Sequence, residues 1–325
     1  MQSRNRWIIA VLASTTISIF TLAQGQSRPG ATQLLREELS PSPTRTETAR
    51  TGAPTGVTFS FGVVDFPGVD AHQHVHQIND HGHMVGIYTA PSSNTESYLL
   101  QGSKFKKIVY PGAGVNVTSA WGINKAGLVV GFYSSDGGST GHGFMLKGKT
   151  FSSFDYPGAV LTSATAINAA GVIVGTYLTD EQALSQGFEL SGGVFTPIAF
   201  PSSTATDPYG INAAGEIVGS YASPDGILHG FTLQGGTYTS VDYPGGIETA
   251  LTGINDSGQI IGAYSDDGGA TYHGFLLKDG VFTPFDVPYA GVTRTFPMGI
   301  NNKNQIVGRY IDNAGYRWGF EASFQ

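Results

Sequence analysis

From about residue 58 onward, short apolar segments alternate with turns rich in Gly and Pro. The segments are dominated by Val, Ile, Tyr and Phe, the residues that favour strands, and are about six or seven residues long, as in residues 162–167 and 172–177. No stretch in this region carries apolar residues at the helical spacing of three and four. The pattern therefore predicts an all-β fold of many short strands.

The same pattern recurs six times. Each copy has the dipeptide Ile-Asn, a Gly eight residues after the Ile and a Tyr ten residues after the Ile. The six Tyr residues are Tyr88, Tyr133, Tyr177, Tyr221, Tyr264 and Tyr310. Successive Asn residues of the Ile-Asn pairs are 43 to 46 residues apart. This spacing is typical of propeller blades, whereas helical solenoids, β-helices and leucine-rich repeats have other periods or patterns.

Each unit contains four predicted strands, a to d. Strand a ends at Ile-Asn, strand b carries the Tyr, strand c carries an aromatic residue after a small residue, and strand d ends in an acidic-aromatic-Pro-Gly signal. Residues 59–68 have the pattern of a strand d, and they precede the first strand a, whereas the last unit ends at its strand c. We therefore predict a six-bladed β-propeller of four-stranded antiparallel blades, in which the N-terminal strand closes the last blade and removes an open sheet edge.

The turn between strands a and b has its own signal. Three residues after the Asn stands a Gly in five units, and Asn304 takes this place in the sixth. Gly and Asn are the residues that most readily adopt positive φ, and an Asn side chain can accept bonds from backbone N–H groups of a turn. We predict that Asn304 has a left-handed backbone.

The repeat resembles the extracellular family named after its His-Ala-Phe motif (HAF repeats). The resemblance covers residues 58–325 and depends on Ile-Asn-x-x-Gly-x-x-Val-Gly followed by His-Gly-Phe at His142, His229 and His273. Gly replaces the Ala of the motif, and three units have another residue for the His: Glu96, Gln186 and Trp318. The resemblance implies an exported bacterial repeat protein and implies no reaction.

The N-terminus predicts export. Arg4 and Arg6 precede an apolar stretch over residues 7–23, and small residues follow, so we expect a signal peptide over residues 1–25. An uncleaved membrane anchor is the alternative. Residues 26–56 are rich in Pro, Ser and Thr and predict a disordered linker, and residues 57–325 form the propeller. The expected location is extracellular or periplasmic, without a membrane span once the signal is removed.

Composition excludes several function classes. The net charge is −7 and no basic stripe is present, which disfavours nucleic acid as a partner. The chain has no Cys, so disulfides and thiol chemistry are excluded. We expect a monomer without a cofactor, unless the His cluster binds a divalent metal.

That cluster is His72, His74 and His76, which alternate along a predicted strand and therefore share a face. Neutral imidazoles are good zinc or nickel ligands. In an extended strand, however, the first and last of these three alternating histidines are about 13 Å apart, which is too far for one ion without bending. Solvated or packing histidines are the alternative.

The repeated polar residues favour structural roles. The His of His-Gly-Phe recurs in three units, which predicts packing or a hydrogen bond to a neighbouring strand rather than catalysis. The Asp after strand d recurs as well, which predicts a turn-capping role. Residues entering strand a vary most, and this rim is the expected ligand site: Asp70, His72, Asp207, Glu248 and Arg294.

Together these features favour a secreted, non-catalytic binding or interaction propeller. Its expected partner is a glycan or a cell-surface protein. The alternative is an extracellular polysaccharide hydrolase or lyase on a propeller scaffold, which would need two carboxyl groups within about 10 Å in one pocket. No nucleotide loop, nucleophile elbow or metalloprotease motif is present in the sequence.

Overall fold

The structure is a computed structural model that describes residues 47–49, 56–69, 72–181 and 183–325. Every regular element among these residues is a strand. Each of the first five blades is made of four strands that are consecutive in the sequence, and the first of them, strand a, is the inner strand. Their bounds are β3 (Gln73–Ile78), β4 (Met84–Thr89), β5 (Thr95–Gln101), β6 (Lys104–Ile108); β7 (Val117–Ile123), β8 (Val129–Ser134), β9 (His142–Lys147), β10 (Thr150–Phe154); β11 (Leu161–Ile167), β12 (Ile173–Leu178), β13 (Gln186–Ser191), β14 (Val194–Ile198); β15 (Ala205–Ile211), β16 (Ile217–Ala222), β17 (Leu228–Gln234), β18 (Thr237–Val241); β19 (Glu248–Ile254), β20 (Ile260–Ser265), β21 (His273–Lys278) and β22 (Val281–Phe285).

The sixth blade combines the two ends of the described chain. It contains β23 (Val292–Ile300), β24 (Gln305–Asp312), β25 (Arg317–Phe324) and β2 (Phe59–Val64). Strand β2 pairs antiparallel with β25 from Phe59 to Val64. The predicted strand order and the closure by an N-terminal strand are confirmed. Each of the six blades contains these four antiparallel strands, and a single parallel pair, Thr95 with Val117, joins the first two blades into one continuous hydrogen-bonded sheet.

One short strand was not expected. Strand β1 (Glu47–Ala49) pairs antiparallel with β2 and adds a fifth strand to the outer edge of blade 6. It falls inside the predicted linker of residues 26–56, most of which lies outside the described residues, as does the predicted signal peptide. In the part of the chain that the structure describes, no helix is long and apolar enough to span a membrane.

The ring is closed by the Asn residues of the six Ile-Asn pairs. The side-chain Nδ2 of each Asn donates a hydrogen bond to the backbone carbonyl of the Asn in the next blade, and Asn301 of blade 6 donates to Asn79 of blade 1 at 3.0 Å. The Oδ1 of the same side chain accepts hydrogen bonds from backbone N–H groups of the a–b turn, and at Asn79 the donors are His81 and His83. The members of this Asn ring are Asn79, Asn124, Asn168, Asn212, Asn255 and Asn301.

Aromatic pairs hold neighbouring blades together farther from the axis. The aromatic residue that follows strand d of one blade stacks on the strand-b Tyr of the next blade, and Tyr110 and Tyr133 have ring centroids 3.5 Å apart. Equivalent stacked pairs are Phe66–Tyr88, Tyr156–Tyr177, Phe200–Tyr221 and Tyr243–Tyr264. This stacking accounts for the Tyr ten residues after the Ile in five units, whereas Tyr310 of the sixth packs at a tilt against Tyr289 with ring centroids 5.4 Å apart.

Candidate functional site

The central channel is filled by side chains. Every inner strand contains a β-bulge, and the bulge residue points toward the axis. The six bulge residues line one cavity of about 10 Å³: His76, Trp121, Thr165, Tyr209, Thr252 and Met298. Gln77 follows the first bulge, where other blades have Gly or Ala, and it lines both this cavity and the one at the Asn ring. The channel is therefore blocked and offers no passage.

The His cluster contributes to this filling. His74 and His76 are buried with ring centroids 5.9 Å apart, and His76 stacks on Trp121 at 4.0 Å. The Nδ1 of His76 is 2.8 Å from the carbonyl of Ala120. Burial lowers the pKa of His76 to about 4, an effect that this hydrogen bond opposes, and burial followed by the field of Arg309 lowers the pKa of His74. Both imidazoles are consequently neutral at pH 7.

The structure does not align all three histidines. His72 lies before the strand with a positive φ of 70° and is exposed. Among the described residues, no three His, Asp or Glu side chains form a group that could hold a metal ion. The metal site over His72, His74 and His76 stays a prediction, and titration of the parent chain and a His74→Ala variant with zinc tests it.

The rim formed by the d–a and b–c loops surrounds one mouth of the channel. At five of the six blade junctions, the residue at the start of strand c bonds or pairs with the start of the inner strand of the next blade. Around blades 1 to 3 these positions carry small or apolar residues: Thr95, Val117, Gly141, Leu161, Ser185 and Ala205. Around blades 5, 6 and 1 they carry larger polar ones: Glu248, Tyr272, Arg294, Arg317 and His72. We call these five residues the charged sector.

Three of the predicted rim residues therefore lie together. Glu248 is buried and accepts a hydrogen bond from the Tyr272 hydroxyl, and the Arg294 guanidinium lies 5.8 Å from the centre of the Tyr272 ring. The backbone N–H of His72 donates to the carbonyl of Arg317 at 3.1 Å. Tyr272 and Arg317 were missed because they stand on strand c of the preceding blade.

Of the other two predicted rim residues, the structure describes Asp207 alone. Asp207 is two residues farther along its strand than the rim position and is buried, and burial raises its pKa to about 6, which the neighbouring Ser185 hydroxyl opposes. Asp70 lies outside the described residues. Asp207 is thus a buried carboxyl group rather than an accessible contact for a ligand.

The repeated His and Asp bind each other. His142, His229 and His273 each direct Nδ1 at the Asp that follows strand d of the same blade, at 2.8 to 3.1 Å. The predicted bond of these histidines to a neighbouring strand is confirmed. The predicted turn-capping role of Asp155, Asp242 and Asp286 is wrong in this respect, because their carboxylates bind the imidazole of strand c. The N–H group of the turn instead donates a hydrogen bond to a Thr hydroxyl of the inner strand, as Tyr156 N–H does to Thr162 at 2.9 Å.

In the Asp-rich b–c loops, a carboxylate accepts hydrogen bonds from other residues of the same loop. Asp267 accepts bonds from the backbone and hydroxyl of Thr271, from the Ser265 hydroxyl and from the Ala270 N–H. Asp136 repeats the arrangement with Thr140 and Ser134 in blade 2, and these hydrogen bonds lower its pKa to about 2, against the effect of burial. These loops are internally bonded turns.

A ligand-sized cavity lies between blades 1 and 2. This interblade cleft has a volume of about 300 Å³ and lies between the loop of residues 109–116 and the b–c loop of blade 2. It is lined by Tyr110, Gly112, Ala113, Val115, Tyr133, Ser134, Ser135, Thr140, Gly141 and His142.

Two features of the sequence open the interblade cleft. The loop of residues 109–116 is two residues longer than the corresponding loop of residues 155–160. Gly141 occupies the position that Tyr272 has in blade 5, and a Cβ there would come within 3.1 Å of the Phe132 ring. The longer loop and the absence of a side chain at Gly141 are the features that distinguish this cleft.

Comparisons with known proteins support the fold. No protein-family model matches the chain, and no curated protein matches it, so the resemblance to HAF repeats stays a prediction. AofleA from Arthrobotrys oligospora is 10% identical, with 80% of this chain and 85% of that chain covered and a TM-score of 0.51. The six-bladed lectin of Aleuria aurantia is 14% identical over 75% of this chain and 97% of its own, with a TM-score of 0.45. The β-propeller domain of the Trilobed protease from Pyrococcus furiosus is 11% identical over 85% and 95%, with a TM-score of 0.47. The lectin and the protease domain are each described as a β-propeller.

Proposed function

We propose that this chain is an exported, non-catalytic binding propeller that holds a saccharide in the interblade cleft. The observation that carries the proposal is the cleft itself. Its volume lies at the lower end of the range for small-ligand sites, and its walls combine aromatic carbon with a few hydrogen-bonding groups. A saccharide presents that same mixture of apolar ring faces and hydroxyl groups.

The cleft is also pre-organised for binding. Tyr110 and Tyr133 stack on each other, and the neighbouring Tyr133 raises the pKa of Tyr110, so the Tyr110 phenol stays protonated as a donor. Asp155 holds Nδ1 of His142 at 3.0 Å, which fixes the orientation of the imidazole. Side chains that are already fixed lose little conformational entropy when a ligand binds.

The enzyme alternative is less well supported. None of the described residues that line the cleft carries a carboxylate, and a glycosidase needs two. Two acids bond to residues of the lining, Asp155 to His142 and Asp136 to Ser134 and Thr140, and neither belongs to the lining itself. Incubation with polysaccharides followed by product analysis would favour the hydrolase or lyase alternative if shortened or unsaturated chains appeared.

A glycan array followed by calorimetry on the best neutral saccharide tests the proposal. Ser135 is exposed and lines the cleft, so Ser135→Trp should fill it and reduce affinity at least tenfold. Thr179→Trp is the matched control, since Thr179 is the exposed residue at the same position of blade 3. Equal affinities of the two variants, or binding of no saccharide by the parent, would refute the saccharide site.

Export is proposed on the basis of residues 1–25. Mass spectrometry of protein recovered from the culture medium or periplasm should find a chain that begins near Gln26. Intact Met1 in a membrane fraction would show that the segment is retained as an anchor.

A further inference from the structure

The arginines of the propeller are concentrated on one blade. Residues 56–325 contain three arginines, Arg294, Arg309 and Arg317, and they lie on the adjacent strands β23, β24 and β25 of blade 6. Arg294 and Arg317 both pair with Ile311, so they flank one position of the central strand. Arg309 is two residues from Ile311 and therefore has its side chain on the same face of the sheet.

Two of these guanidinium groups lack a carboxylate partner among the described residues. Arg294 donates to the backbone carbonyls of Ala270 and Gly269, both at 3.3 Å, and Arg317 forms no ion pair in the described part of the chain. Glu248, the acid of the charged sector, bonds to the Tyr272 hydroxyl instead. After burial, the field of Arg294 is the cause that lowers the pKa of Arg317.

This arrangement is electrostatically unfavourable without a ligand. Arg294 and Arg317 place two positive charges on one blade at a partly exposed rim, and the field of Arg294 disfavours the charge of Arg317, although the chain as a whole is acidic and has abundant carboxylates elsewhere. A bound anion would relieve the repulsion. Guanidinium is also the group best suited to hold a carboxylate, because its planar N–H donors match the two oxygens.

We propose that the charged sector binds the carboxylate of a small acidic ligand, with Arg294 and Arg317 as its binding residues. Tyr272 and His72 form the flanking walls. The strands hold both arginines at fixed positions, so little ordering is needed on binding. The site is separate from the interblade cleft, and the proposal does not depend on the saccharide proposed there.

Calorimetry with galacturonate, its methyl ester and inorganic phosphate tests this site. Galacturonate should bind, and the uncharged ester should bind at least tenfold more weakly. The affinity for galacturonate should fall as salt is added, because the contact is ionic. No binding of galacturonate, equal binding of acid and ester, or binding of phosphate alone would overturn the assignment of a carboxylate site.

Variants locate the site. Arg317→Gln should reduce galacturonate affinity at least tenfold and Arg317→Lys less, since Lys keeps the charge but loses the paired donors. Lys147→Gln removes one positive charge from an exposed strand end in blade 2 and is the matched control. Arg294→Gln serves as the second variant if Arg317→Gln does not fold, and retained affinity in a folded variant of either arginine would contradict the proposal.

Two further variants should not reduce the affinity for galacturonate. Asp70 stands two residues before His72, and Asp70→Asn should leave galacturonate affinity unchanged or raise it because one negative charge is removed. Loss of binding in Asp70→Asn would contradict the proposal. Ser135→Trp should leave galacturonate binding unchanged, so failure of the saccharide site and failure of this site give different results.

Discussion

At the scale of single residues, the Asn of each Ile-Asn pair has two roles, one within its own turn and one toward the next blade. The Asn of each Ile-Asn pair was predicted to accept turn N–H groups, and it does. Its second role, donation to the next blade, was not predicted because the partner is a backbone carbonyl 43 to 46 residues away, about one repeat period. Every residue has a backbone carbonyl, so the residue types do not indicate which carbonyl accepts the bond.

Asn304 tests the turn. Its φ is 60°, as the sequence predicted, and equivalent Gly residues such as Gly258 have similar values. Asn304→Gly should be neutral or slightly stabilising, whereas Asn304→Val should lower the free energy of unfolding by roughly 1 kcal/mol or more, because β-branched residues are strained there. Urea unfolding of both variants measures this, and identical midpoints would contradict the turn assignment.

The burial of Asp207 predicts a pH dependence of the free energy of unfolding. Its pKa is about 6 in the folded chain, above its ordinary value near 4, so the folded state retains a proton that the unfolded state has lost. Its contribution to stability is therefore present below about pH 4 and is lost as the pH rises toward about 6. Asp207→Asn keeps the shape without the charge and should stabilise the protein by about 2 kcal/mol at pH 7 relative to the parent.

The same comparison at pH 4 is the control for Asp207→Asn. Both chains then carry a largely neutral side chain, and the advantage of the variant should nearly vanish. An equal advantage at pH 4 and pH 7, measured by urea unfolding, would show that ionisation of Asp207 is not the cause.

At the scale of strands and blades, the columns of the repeat predicted which strands pair. The six copies placed strand a before its turn and showed that the last blade lacked a strand d. The bulge in each inner strand was not predicted, because one extra residue changes no residue type in the pattern. This bulge turns His76 toward the axis, and the histidine row expected from strict alternation does not form.

The Asn ring makes a prediction at this scale. Asn124→Asp keeps an oxygen for the turn N–H group of Leu128 but loses the N–H donor to Asn168 and places a charge beside its carbonyl. We expect a loss of about 2–3 kcal/mol in the free energy of unfolding. Asn168→Asp removes the equivalent donor to the carbonyl of Asn212 and should cost a similar amount. No loss in either variant, measured by thermal or urea unfolding, would indicate that the interblade bonds do not stabilise the ring.

At the scale of the whole molecule, ring closure was predictable and the candidate sites were only partly so. Closure followed from counting strands. The rim residues His72, Glu248 and Arg294 were predicted from their variation, whereas Tyr272 and Arg317 required knowledge of which strand c adjoins which strand a. The interblade cleft depends on a longer loop and one Gly in different strands, and only the assembled ring brings them together.

Closure by β2 is the central claim, and truncation tests it most directly. Phe59, Phe61 and Val64 are buried, and burial of three such side chains contributes about 5–9 kcal/mol, comparable with the whole stability of a domain. Three chains are compared by thermal unfolding: one without residues 1–55, one without residues 1–68, and a permuted chain that begins at Val69 and carries residues 58–68 after Gln325 through two glycines.

The permuted chain follows the geometry of the last blade. Thr58 N–H donates to the carbonyl of Gln325 at 3.1 Å, so the start of β2 adjoins the end of β25, and other blades join strands c and d by two residues. We predict that the chain without residues 1–55 melts cooperatively, that the chain without residues 1–68 melts far lower or aggregates, and that the permuted chain recovers most of the loss. Equal melting temperatures for the two truncated chains would contradict a ring closed by β2.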